Sequence, residues 1–256
     1  MIVMINVKYI APFSRAITTL LNSQMIYSFI CATVLCAIFQ VFFLLKAKKK
    51  EESVSLRHFV WVYIFLVYIT LVYQMTGVTT IWSIIDRVDM WRQWGTPIID
   101  VNRIYLVPFV SSAKAPYLYN ILMTIPLGFL LALLWPQFRS VKKVALTGFC
   151  LSLAIEVSQL FSIRATMVDD LVANTLGAVL GYLIFLILYS IFQLTMKIIN
   201  KQSMPVSANN SRCKGTSASK FSSYIIRNEP IIYIVLSFVG YALFFNLDFY
   251  FRYFLM

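Results

Sequence analysis

The stretch Val144–Thr195 reads VALTGFCLSLAIEVSQLFSIRATMVDDLVANTLGAVLGYLIFLILYSIFQLT, and it decides the fold class. Two apolar runs, Val144–Phe161 and Leu171–Thr195, flank a polar string. Each is near the roughly 20 residues that a helix needs to cross a bilayer. The string holds Glu156, Gln159, Arg164, Asp169, Asp170 and Asn174, so three of the ten acidic residues of the chain fall here. A charged side chain at bilayer depth costs about 2.5–3.5 kcal/mol on insertion scales. Residues persist there when they have partners or a task.

The rest of the chain agrees with a membrane. Hydrophobic residues make up 60% of it and charged residues 12%, against about 25% charged in soluble domains. The expected fold is all-α, a polytopic transmembrane bundle of about six spans. They are read at Gln24–Leu45, Phe59–Ile81, Leu118–Trp135, Val144–Phe161, Leu171–Thr195 and Pro230–Asn246. The fourth is the weakest, because Glu156 and Gln159 sit in its last turns. No cleavable signal is read in the first 15 residues, which Lys8, Pro12 and Arg15 interrupt.

Basic residues set the orientation. Lys46, Lys48, Lys49, Lys50 and Arg57 follow the first span, and Arg139, Lys142 and Lys143 follow the third. Lys197, Lys201, Arg212, Lys214, Lys220 and Arg227 follow the fifth. The positive-inside rule makes these three segments cytoplasmic, with both termini external. The polar string then lies at the outer face. The formal net charge of +12 belongs to loops facing anionic lipid rather than nucleic acid.

This reading divides the chain into a helical pair (1–81), an external aromatic-rich loop (82–117) and a three-helix core (118–196, with 102–117 leading into it). A flexible basic cytoplasmic linker (197–229) and an appended last helix (230–256) follow. The loop holds Trp82, Trp91 and Trp94, which suit headgroup-level anchoring or an interfacial amphipathic segment. No internal repeat is evident, which disfavours an inverted-repeat transporter.

Spacing organises the polar string. Ser152, Glu156 and Gln159 share one helical face, and Asp170 and Asn174 share another. Asp169 and Asp170 also suit a helix N-terminus, where a carboxylate meets free N–H groups and the positive end of the dipole. Glu156 could pair with Arg164, with Gln159 as hydrogen-bonding glue. Asn120 opens the third span level with the cluster, and Arg103 is a candidate to hold phosphate or carboxylate. Pro126 should kink the third span. Gly177 and Gly181 form a small-xxx-small pattern that draws a neighbouring helix, the third or fourth, close.

Glu156, Asp169 and Asp170 are the candidate acid–base residues. Glu156 and Asp170 are also the candidate metal ligands, since carboxylates with Asn and Gln suit Mg²⁺ or Ca²⁺. No cofactor is predicted beyond that divalent-cation option. The lone histidine, His58, and the absence of CxxC exclude a zinc finger or a His-based triad.

The strings NRIYLVPF, NILMTIPLGFLL, EVSQLF and RATMVDDLVANTLGAVLGY follow one another across Asn102–Tyr182. Together they resemble the VanZ-like family of bacterial membrane proteins. The resemblance implies a multi-pass protein of the bacterial cell membrane, frequent in Gram-positive cell envelopes. It also implies reduced susceptibility to lipoglycopeptides such as teicoplanin. It marks Arg103, Pro108, Asn120, Pro126, Gly128, Glu156, Gln159, Arg164, Asp169, Asp170, Asn174 and Gly177 as the recurrent positions. Four functions stay open, the fourth being a structural or regulatory membrane partner. The first is an outer-face pocket that binds or modifies a lipid-linked or membrane-inserted ligand. There Arg103, Asn120, Gln159, Arg164 and Asn174 would contact membrane lipids, a lipid-linked envelope precursor or a lipoglycopeptide. The second is an intramembrane carboxylate- or metal-dependent enzyme on a lipid. The third is a lipid flippase or transporter, which the low polarity of the inner half-spans disfavours.

Overall fold

The computed structural model describes residues 23–48, 56–108, 114–162, 164–202 and 220–244. Among them the chain is an all-α bundle: α1 (Ser23–Lys48), α2 (Leu56–Thr76), α3 (Ile81–Trp94), α4 (Lys114–Leu134), α5 (Val141–Gln159), α6 (Val168–Gln202) and α7 (Lys220–Phe244). Two short strands, β1 (Ile104–Tyr105) and β2 (Thr166–Met167), pair in parallel. Lys49, Lys50 and Cys213 lie outside the described residues, as do 1–22 and 245–256, on which the expected placement of both termini rests.

Three apolar stretches are long enough to cross a membrane: His58–Trp94, Ala115–Leu134 and Val168–Ile199. Phe29–Phe42 and Asn228–Leu243 are shorter apolar helices. Helix α5 is not in that group and carries Lys142, Lys143 and Glu156. It compensates by turning its polar residues inward. Ser152, Glu156 and Gln159 are buried, while Leu146, Phe149, Leu153 and Val157 face out. That inversion suits a lipid surround, where backbone and polar groups must be satisfied inside the bundle.

Helix α2 is central. Phe65, Leu66, Ile69, Val72 and Tyr73 are all buried, and their spacing makes one continuous stripe. It packs on α1, α4 and α7. It stops at Gly77, whose φ of 67° places it in the left-handed region. There its N–H returns to the Tyr73 carbonyl at 2.9 Å, the C-terminal stop that glycine favours.

The tightest contact joins α4 to α6. A Cβ at Gly177 would overlap the Ile121 carbonyl, one at Gly181 the Ile125 carbonyl, and one at Gly128 the Ala178 carbonyl. Backbone therefore meets backbone on both sides, as small-residue seams between membrane helices allow. The partner drawn in by Gly177 and Gly181 is the predicted third span. Pro126 lies inside α4, which remains helical through it. Tyr68 donates to the Met123 carbonyl at 2.8 Å, one turn before the proline.

Three expectations change. The segment 82–117 was expected to be a loop, but its first third is helical: Thr80 caps α3 and Gly95 (φ 67°) ends it. Trp82, Ile85, Arg92 and Trp94 all fall on this one short helix. The linker expected at 197–229 is helical at both ends, to Gln202 and from Lys220, while 203–219 lie outside the described residues. The last helix is not an appendage. Tyr233, Ser237 and Tyr241 are buried, and Tyr73 donates to the Ile234 carbonyl at 3.0 Å.

Candidate functional site

The C-terminal ends of α2 and α5 meet the N-terminal ends of α4 and α6 around a cavity of about 570 Å³. Asn120 of α4, Glu156 and Gln159 of α5, Arg164 of the connecting loop, and Asp170 and Asn174 of α6 all line it. Residues far apart in sequence reach one space because the Gly177 and Gly181 seam holds α4 against α6.

Glu156 is buried at 5% exposure. Its Oε2 accepts from the Met167 backbone N–H at 2.9 Å. The carboxylate thus holds β2 in place, and β2 holds β1 through the pairs Ile104 with Thr166 and Tyr105 with Met167. The expected pairing of Glu156 with Arg164 does not form. Arg164 instead sends Nη1 to the Thr76 carbonyl at 2.9 Å, and Gln159 sends Nε2 to the same oxygen at 2.7 Å. The last carbonyl of α2 is unused by its own helix and sits at the negative end of the dipole, so it attracts both donors. Gly77 makes this approach physically available, because a Cβ there would collide with the Arg164 guanidinium.

Asp170 Oδ1 accepts from Asn120 Nδ2 at 2.7 Å. Asn174 donates to Ser152 Oγ at 3.0 Å, so the faces predicted from spacing meet. Asp169 shares the first turn of α6 with Asp170 but does not line the cavity. Two acceptors on the wall have no protein donor: Gln159 Oε1 and Asn174 Oδ1. Both side chains are at least nine-tenths buried, at 5% and 3% exposure. A buried acceptor left unpaired costs about 1–3 kcal/mol, and because protein covers both oxygens, a donor from the cavity reaches them only if the side chains turn.

Arg103 stands apart. It is half-exposed and paired with Asp100 at 3.1 Å. It borders a narrow crevice behind Gln159 and Arg164 rather than the main cavity. Pro108 is exposed just beyond β1. Val101, Leu106 and Val107 are exposed apolar residues in the same segment, which β1 ties to the site through β2.

For a metal, the cavity offers Glu156 and Asp170 with two amide oxygens. Among the described residues no group of three or more His, Cys, Asp or Glu side chains is placed to hold one. That donor set is acceptor-rich and hard, which fits the divalent-cation class rather than zinc.

A second buried cluster was not read from sequence. Glu229 of α7, assigned there to the linker, is 6% exposed. It accepts from Trp135 Nε1 at 2.9 Å and lies 3.0 Å from His58 Nε2. The signal was present: Glu229 immediately precedes Pro230 and the last apolar run, and an acidic residue there needs a partner.

No curated protein and no solved structure matches the chain. The profile of the VanZ/LLP1 family matches residues 29–189. The match is wider than the resemblance at Asn102–Tyr182, because it takes in α2 and α3 and most of α1, and it leaves α7 outside. With the α4–α6 seam and the whole of the cavity wall inside the matched span, this membrane protein belongs to the VanZ/LLP1 family.

Proposed function

We propose that this chain is a multi-pass protein of the bacterial cell membrane whose outer-face cavity binds or modifies a lipid-linked or membrane-inserted ligand. One observation carries the reading. Two buried acceptors without protein donors, Gln159 Oε1 and Asn174 Oδ1, stand beside Glu156 and Asp170 on one cavity wall. The positive-inside rule, applied to the basic segments, supports an outward-facing position for this end of the bundle. The exposed Leu106 and Val107, near the site, favour a ligand held in the membrane over one from bulk water. Lowered susceptibility to lipoglycopeptides such as teicoplanin is the cellular effect this reading carries over from the family.

The enzyme reading has one specific support. Glu156 and Asp170 share a single cavity, as an acid and a base on a lipid substrate would need. The flippase reading gains nothing comparable.

The test compares Glu156→Gln, Arg164→Ala and Asp170→Asn with wild type at equal membrane abundance. Teicoplanin susceptibility and drug binding to cells are measured. The reading expects the Glu156 and Asp170 variants to lose the wild-type effect. If all three variants match a wild type that has the effect, the cluster is architecture and the reading fails.

A further inference from the structure

The cavity has a polarity gradient. Glu156, Gln159 and Asn174 form a buried wall, on which Gln159 and Asn174 each spend one of two amide N–H donors and leave the amide oxygen unpaired. Asp170, half-buried, adds a second carboxylate. Arg164 is exposed, so the positive charge lies toward the solvent side. It uses one donor on Thr76, and a guanidinium has five. An anionic group would meet two carboxylates if it entered first. A positively charged group that carries N–H donors meets both carboxylates with the matching charge and can donate to them.

Resting on the pocket reading above, we infer that the buried wall takes a primary ammonium group and that Arg164 takes a phosphate carried by the same membrane molecule. The ligand class is an aminoalkyl phosphate headgroup. Ammonium supplies three N–H donors, enough for Glu156, Asp170 and one of the two amide oxygens, Gln159 Oε1 or Asn174 Oδ1, once that side chain turns toward the cavity. The guanidinium fork suits phosphate oxygens. A quaternary ammonium has the same charge and no N–H, so it donates a hydrogen bond to none of these acceptors.

The test uses the purified full chain in detergent with dihexanoyl phosphatidylethanolamine, phosphatidylcholine and phosphatidylglycerol, and separately Mg²⁺ or Ca²⁺ alone. Binding is read by native mass spectrometry. The inference expects phosphatidylethanolamine to bind at least about tenfold tighter than phosphatidylcholine, the effect of losing one or more charge-assisted hydrogen bonds. Glu156→Gln and Asp170→Asn should each shrink that preference, whereas Arg164→Ala should weaken both lipids alike. Equal binding of the two, or a preference for phosphatidylglycerol, overturns the ammonium inference and leaves the pocket reading standing. Binding of the metal alone that Glu156→Gln removes also overturns it, in favour of a cation site. If no lipid binds in a way that Glu156→Gln alters, the pocket reading fails with it. The wild-type lipid comparison needs no variant, so a variant that fails to fold does not shield the inference.

Discussion

Asn120 donates to Asp170 at 2.7 Å across the α4–α6 seam. The two residues are 50 positions apart, and each stands near the start of its helix. The bond fixes the aspartate as a wall of the cavity. Asn120→Ala removes the donor and should cost about 1.5–3 kcal/mol, the range for a hydrogen bond to a charged group. Thermal unfolding in detergent measures the loss. Asn120→Asp should be worse, because two carboxylates then face each other. If Asn120→Asp is the milder of the two, Asp170 is not held as described.

The seam itself makes a second prediction. Gly181→Val would drive a side chain into the Ile125 backbone, where no flexible atom can yield. Overpacked cores typically lose about 1–3 kcal/mol, and backbone contact puts this variant at the upper end. Membrane abundance and thermal stability should both fall. Gly95→Ala is the control, since nothing lies within 4 Å of its Cβ position and only the positive φ is strained.

Gly77 and Arg164 should prove coupled. Gly77→Ala meets two penalties, a left-handed backbone and the Arg164 guanidinium. Removing the guanidinium in Arg164→Ala relieves the second alone. A double-mutant cycle should therefore give a coupling of about 0.5–3 kcal/mol, the range for residues in contact. Strict additivity would mean that the arginine does not rest on this turn.

Trp135 anchors α7 through Glu229 at 2.9 Å. Trp135→Phe keeps one aromatic ring but removes the N–H and part of the buried indole. It should therefore cost at least about 1.5–3 kcal/mol, the range for a hydrogen bond to a charged group. Glu229→Gln retains an acceptor for the indole and should cost less than Glu229→Leu, which orphans Trp135 and His58 together. Unfolding curves rank the three. A neutral Glu229→Leu would show that the last helix does not depend on this cluster.

What the sequence disclosed depended on how local each signal was. Gly177 and Gly181 announced a close helix because their spacing alone makes a smooth face. Glu156 with Gln159, and Asp170 with Asn174, were legible as shared faces for the same reason. The partner of Arg164 was not. Thr76 offers only a backbone carbonyl, which no residue type advertises, and the residue that admits the guanidinium is a glycine 87 positions away. Glu229 was misread because polar neighbours such as Arg227 and Asn228 hide the start of a helix. The strands β1 and β2 span two residues each, too short for any alternation to show. Thr80 and Gly95 bracket α3 with a cap and a stop, signals that one residue at each end carries and that the three tryptophans of the segment mask.

The central claim is that the cavity at Glu156 holds a membrane-inserted ligand. A photoreactive amino acid at Ala165, on the cavity lining, tests it most directly in native membranes. A second probe at Phe192, exposed on α6 far from the site, reports ordinary lipid contact. The account predicts that Ala165 captures a distinct lipidic species by mass spectrometry, and that Glu156→Gln abolishes the capture. Capture at Ala165 of only the species seen at Phe192, unchanged by Glu156→Gln, would contradict it.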